Sequence, residues 1–188
     1  MELVTLCFRP RPCSEPIDDE TEAEEDPDRA SRAQRAWRLL HDWPGIPGLR
    51  EDGTIDEGAL ATWVASAREG LRSANRSVTG EQMIGQMLAH SSEGEDGAWP
   101  SEPIRNLIEQ LSSEDLETGI DIGQHNSRGP QWRGRGGDQE RELADKFQKW
   151  SEVVNVRWPR TAALLRRMAE GYRSEARHWD RRADLDEL

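Results

Sequence analysis

Cysteine is scarce in this 188-residue chain, which has only Cys7 and Cys13, and no histidine lies near them. Neither a disulfide framework nor a zinc site follows, and the two read as reduced thiols. No apolar run approaches the roughly 20 residues that a membrane span requires. The opening "MELVTLCF" is too short for a secretion signal and carries an acid where such a signal carries bases. A soluble, cytoplasmic protein with no membrane contact is therefore expected. Lysine is nearly missing, with Lys146 and Lys149 alone among 25 basic residues, an arginine bias that suits a GC-rich bacterial coding sequence and carries no chemistry. Hydrophobic residues make up only 34%, which a compact fold offsets with large side chains. Eight tryptophans supply them, so a tryptophan-rich core is expected.

Catalytic signatures are missing as well. The chain has no nucleophile elbow, no phosphate loop ending in Gly-Lys-Ser/Thr and no pair of Cys-x-x-Cys elements. His41, His90, His125 and His178 stand far apart and read as isolated, without the helical spacing of a zinc motif. The stretch "LREDGTIDEGAL" imitates the second half of a calcium loop. Aligning Gly53 with the obligatory turn, however, puts Gly48 and Arg50 at the first and third ligand positions and Ala59 where a bidentate glutamate belongs. It reads instead as a tight Asp-Gly turn followed by an aspartate helix cap. No metal, no cofactor and no catalytic residue is assigned.

Charge divides the chain. The formal net charge is −12, of which residues 1–27 contribute −7, leaving the remainder close to balance. Residues 1–13 form a short apolar segment, "ELVTLCF" followed by prolines, which reads as the tail of a longer element or as a docking sequence. Residues 14–27, "SEPIDDETEAEEDP", hold eight acids and no base, bury too little surface to offset their ordering entropy, and read as a flexible linker. Residues 28–188 carry the helical domain.

Within that domain apolar residues recur at helical spacing. Asp28 caps a helix to about Asp42 with Ala33, Ala36, Trp37 and Leu40 along one face, ended by "WPGIPG". Asp56 caps a second, carrying Leu60, Trp63, Val64, Ala67, Leu71 and Ala74. A third spans about Thr79 to His90 with Met83, Ile84, Met87 and Leu88 inward. Ser101 starts a fourth burying Ile104, Leu107, Ile108 and Leu111, and Ser113 a short fifth ending near Gly123. Asp138 opens a long helix to about Trp158, pointing Leu143, Phe147, Trp150, Val153, Val154 and Trp158 one way. Pro159 then begins another with Leu164, Leu165, Met168, Tyr172 and Trp179. The expectation is an all-α, irregular multi-helix bundle of six to eight helices whose last two are long and consecutive.

Between the fifth helix and the long pair, "QHNSRGPQWRGRGGDQE" concentrates Arg128, Arg133 and Arg135 around Trp132 and leads into a helix N-terminus. Loop 126–137 with the C-terminal helices is thus a candidate anion or nucleic-acid contact. Asp138 at the cap would repel a phosphate, and the arginines downstream alternate with glutamates at ion-pair spacing, so a structural connection is the preferred reading.

"AWRLLHDWPGIPGLREDGTIDEGALATWV", "IGQMLAH", "DGAWPSEPIRNLIE", "DIGQHNSRG" and "RWPRTAALLRRMAEGY" resemble the C-terminal helical module of large bacterial proteins of unknown function. The resemblance covers nearly the whole chain and implies no activity, cofactor or catalytic residue. It implies context, a module of a larger polypeptide or system. The expected function is a non-catalytic interaction module docking a protein partner through Leu3, Val4, Leu6 and Phe8, or through Trp99 and Trp132, the tryptophans in loops. The alternative is a nucleic-acid-binding accessory protein using Arg128, Arg133 and Arg135.

Overall fold

The computed structural model describes residues 45–73, 75–127 and 136–185. The expected helix from Asp28, both N-terminal segments, Ala74 and residues 128–135 of the arginine loop lie outside the described residues. What is described is all-α, with six helices and no strand beyond one isolated bridge between Leu49 and Ile55.

That bridge closes the Asp-Gly turn. Gly53 adopts φ +82°, and Thr54 donates both its backbone N–H and its hydroxyl to Asp52 Oδ1, at 2.9 and 2.6 Å. Two residues later Asp56 accepts the Ala59 N–H at 2.9 Å and starts α1 (Glu57–Ser73). The stretch that imitates a calcium loop is therefore a turn and a cap. Leu60, Val64, Ala67 and Leu71 point inward. Trp63, expected among them, is partly exposed because it falls at the edge of the stripe those four define.

Helices α2 (Ser77–Leu88) and α4 (Glu114–Ser127) cross in close backbone contact. A side chain on Gly119 would lie 2.0 Å from the Gln82 carbonyl oxygen, and one on Gly123 2.8 Å from the Gln86 Cα. From the α2 side, a Cβ on Gly85 would meet the Leu116 carbonyl oxygen at 2.2 Å. Contacts advance four residues at a time on both helices, so the two run in the same direction, backbone against backbone. Charge reinforces the crossing, since Glu81 of α2 accepts from Arg68 of α1 at 2.9 Å and from the Ser113 hydroxyl ahead of α4. α4 runs a turn further than expected, because "QHNS" continues the helix even though Ile122 is exposed.

The connection between the crossing and the rest is α3 (Glu102–Leu111) with the loop before it. Ile104, Leu107 and Ile108 are buried, and so is Arg105, which is 1% exposed. Its guanidinium donates to both Asp96 carboxylate oxygens at 2.6 and 2.8 Å, and to the Pro100 and Ala98 carbonyls. The loop is thereby folded down onto the domain. The Trp99–Pro100 peptide is cis.

Helices α5 (Asp138–Val154) and α6 (Pro159–Leu185) form an antiparallel hairpin. Asp180, late in α6, contacts Gly137 and Arg141 at the start of α5, while Phe147 stacks on Tyr172 at 5.4 Å. α5 stops at Val154, short of Trp158, because residues 155–157 turn the chain toward Pro159. Val153, expected inward, is exposed, whereas Trp158 is buried in the turn. Its indole donates to Asn106 Oδ1 at 2.7 Å, and Glu109 of α3 caps α6 by accepting the Thr161 N–H at 2.8 Å. Glu117 of α4, 3% exposed, accepts from Arg160 and Arg167 of α6, so a buried carboxylate joins the crossing to the hairpin.

Since a methyl group at 119 has backbone in its way, Gly119→Ala is expected to cost about 2 kcal/mol or more. Urea unfolding should show a lower midpoint at unchanged slope. An unshifted midpoint would mean that the two backbones are not in contact.

Candidate functional site

Leu3, Val4, Leu6, Phe8, Trp132, Arg128, Arg133 and Arg135 lie outside the described residues. Trp99 requires a correction. Although it occupies a loop, it is 4% exposed, its indole donates to the Ser91 carbonyl at 2.9 Å, and its ring meets Phe147 edge-on at 6.0 Å. A tryptophan spent in this way belongs to the core and offers no anchor to a partner. Arg105 holds the carbonyls on either side of it, at Ala98 and Pro100, which is a tertiary effect.

The helix N-terminus that follows the arginine loop is described, and its anion seat is taken. Asp180 accepts the Gly137 N–H at 2.9 Å and a hydrogen bond from Arg141 at 2.6 Å, while Arg141 also binds Asp138 at 2.6 Å. Chiefly the Arg141 bond, and then the Gly137 N–H, hold the Asp180 carboxyl below the ordinary carboxylate value. An internal carboxylate therefore sits where a phosphate would be cradled.

An open groove of about 350 Å³ lies between the second half of α4 and the middle of α6. Ile122, Met168, Gly171 and Tyr172 give it apolar surface, and Asp121, His125, Arg167 and Glu175 border it. Beyond His125 and Glu175 a second hollow of about 300 Å³ continues toward His178 and Trp179. Helical geometry assembles this set: Asp121 and His125 are one turn apart on α4, and Gly171, Glu175 and His178 follow one another along α6. His125 and His178 are therefore not isolated from acids, and for Asp121 and His125 the sequence did carry the one-turn spacing. What it did not show was that the two helices meet here.

Each charged group at the groove has a distinct position. Arg167 is bound to Glu117, whereas no hydrogen bond or ion pair among the described residues engages Asp121 or Glu175. Desolvation raises the Asp121 carboxyl above its ordinary value, opposed by the charges of His125 and Arg167 and reinforced by Glu175. Ser174 and His125 both border the second hollow, yet among the described residues no hydrogen bond joins serine, histidine and aspartate into an activated nucleophile. Among the same residues no group of three histidine, cysteine or acidic side chains is placed to hold a metal ion, and no helix is long and apolar enough to cross a membrane.

Compared with known proteins, the chain matches no family model, no curated protein and no solved structure.

The raised Asp121 carboxyl has a sign that can be tested. A folded-state value above the unfolded one means that folding binds a proton, so the penalty is absent below the ordinary carboxylate range and develops as pH rises through it. Asp121→Asn should raise the melting temperature at neutral pH and leave it unchanged at pH well below that range. An equal gain at both ends would show that charge at Asp121 is not the cause.

Proposed function

We propose that this chain is a non-catalytic helical interaction module of a bacterial cytoplasmic protein and that it docks a protein partner. The observation that carries this reading is the α4–α6 groove, an open hollow with an apolar floor and two carboxylates that no hydrogen bond or ion pair among the described residues engages. Such a surface is suited to receiving side chains. Trp99, Trp150 and Trp158 are committed inward: Trp150 donates to the Gly97 carbonyl at 2.9 Å and Trp158 to Asn106. The resemblance of the sequence to a module of large bacterial proteins points the same way. Leu3, Val4, Leu6 and Phe8 are a second candidate contact on this reading.

The nucleic-acid alternative has one observation in its favour, the excess of arginine on α6. Several of these residues are already paired, Arg160 and Arg167 with Glu117 and Arg173 with Glu170. Asp180 also fills the helix N-terminus that a phosphate would use.

Two measurements test the proposal. Affinity capture with the full chain should recover a stoichiometric protein partner, and capture with a chain lacking residues 1–27 shows whether the N-terminal contact takes part. Fluorescence anisotropy with labelled DNA and RNA should show no strongly salt-dependent binding between 50 and 200 mM salt, the range over which several phosphate contacts cost about 10³-fold or more. Binding that weakens steeply with salt and disappears when Arg128, Arg133 and Arg135 are replaced by alanine would overturn the proposal in favour of the alternative.

A further inference from the structure

Among the described residues, nothing packs closely enough on Gly171 to require a glycine there. It sits inside α6, a helix that continues for fourteen residues beyond it, and a Cβ added there would meet nothing within 4 Å. The glycines of the α2–α4 crossing differ in this respect, since a Cβ on any of them would strike a neighbour. A glycine within a helix costs about 1 kcal/mol relative to alanine, and at Gly171 no packing contact among the described residues offsets that cost. Its effect is to leave the groove floor open beside Met168 and Tyr172.

The charge at that opening has one sign available to a ligand. Asp121 and Glu175 stand on its border with no hydrogen bond or ion pair among the described residues, and the guanidinium of Arg167, the one arginine in the lining, is bound to Glu117. The charges of His125 and Arg167 offset the desolvation of Asp121 only in part, and a further cation would offset more of it. The apolar floor formed by Ile122, Met168 and Tyr172 suits a hydrocarbon stem more than a small inorganic ion. A phosphate would be repelled.

We infer that the α4–α6 groove receives a basic side chain, lysine or arginine, from a partner protein, with Asp121 and Glu175 binding the cationic head and Gly171 leaving room for the stem. This rests on the reading that the chain docks a protein, and it names the chemistry of what is docked.

The test uses the full ¹⁵N-labelled chain, titrated with N-acetyl-arginine amide, N-acetyl-lysine amide and the neutral isostere N-acetyl-citrulline amide, followed by amide chemical shifts. Saturable shifts with at least one of the two cations, clustered at Asp121, His125, Gly171 and Glu175 and missing with citrulline, are expected. The double variant Asp121→Asn, Glu175→Gln should weaken binding at least tenfold. Gly171→Leu, which fills open space, should unfold cooperatively at no lower temperature than the parent chain and lose the shifts. Equal shifts with citrulline, shifts elsewhere, no saturable shift, or unchanged binding in Gly171→Leu would each overturn the inference. Its failure is separable from that of the docking reading. If a partner is captured equally by the parent chain and by Gly171→Leu, docking stands and the groove assignment falls. Groove shifts without a captured partner would instead contradict docking.

Discussion

The buried guanidinium of Arg105 is the interaction on which the rest of the structure depends. A charge taken out of water is tolerated only when its donors are satisfied, and Arg105 meets that condition with Asp96 and the carbonyls of Ala98 and Pro100, its plane near the Trp158 ring at 4.8 Å. Each of these partners lies in the segment between α2 and α3 or in the turn between α5 and α6. One side chain on a ten-residue helix thus holds the loop against the domain and touches the turn of the hairpin.

The aromatic core follows from that placement. With the loop held down, Trp99 reaches the Ser91 carbonyl and packs on Phe147 and Trp150, and the Gly97 carbonyl is in position to accept from the Trp150 indole. Phe147 stacks in turn on Tyr172, so the cluster spans from the loop to α6. Carboxylates act in a similar way between helices, with Glu109 capping α6, Glu117 gathering two arginines and Asp180 closing the start of α5. Polar and aromatic groups so engaged serve architecture. The α4–α6 groove stands apart because its carboxylates are left over after these pairings are made.

Helical stripes were legible wherever burial followed period alone. Leu60, Val64, Ala67 and Leu71 on α1, the α6 face from Leu164 to Tyr172, the aspartate cap at Asp56 and the restart at Pro159 all could be read from spacing and local turn chemistry. Less legible were features that depend on what arrives from elsewhere in the chain. Trp99 has the local setting of an exposed loop residue, and it is buried by groups from elsewhere, Phe147 and Trp150 against its ring and Arg105 on the carbonyls either side of it. "QHNS" has the composition of a turn, yet the helix continues through it. Gly85, Gly119 and Gly123 carry no periodic hydrophobic signal, because their contribution is the absence of a side chain where two backbones touch. The groove was hidden for a related reason, since Asp121 and His125 are visible as a pair on α4 but their meeting with Gly171 and Glu175 is set by helix packing.

The claim that Arg105 organises the aromatic interior is tested most directly by hydrogen exchange of the tryptophan indole N–H groups in Arg105→Met, followed by NMR. The account predicts that the Trp99 and Trp150 indoles, protected in the parent chain, exchange much faster in the variant, while backbone amides of the α2–α4 crossing keep their protection. Indoles that remain as protected as in the parent chain would contradict it.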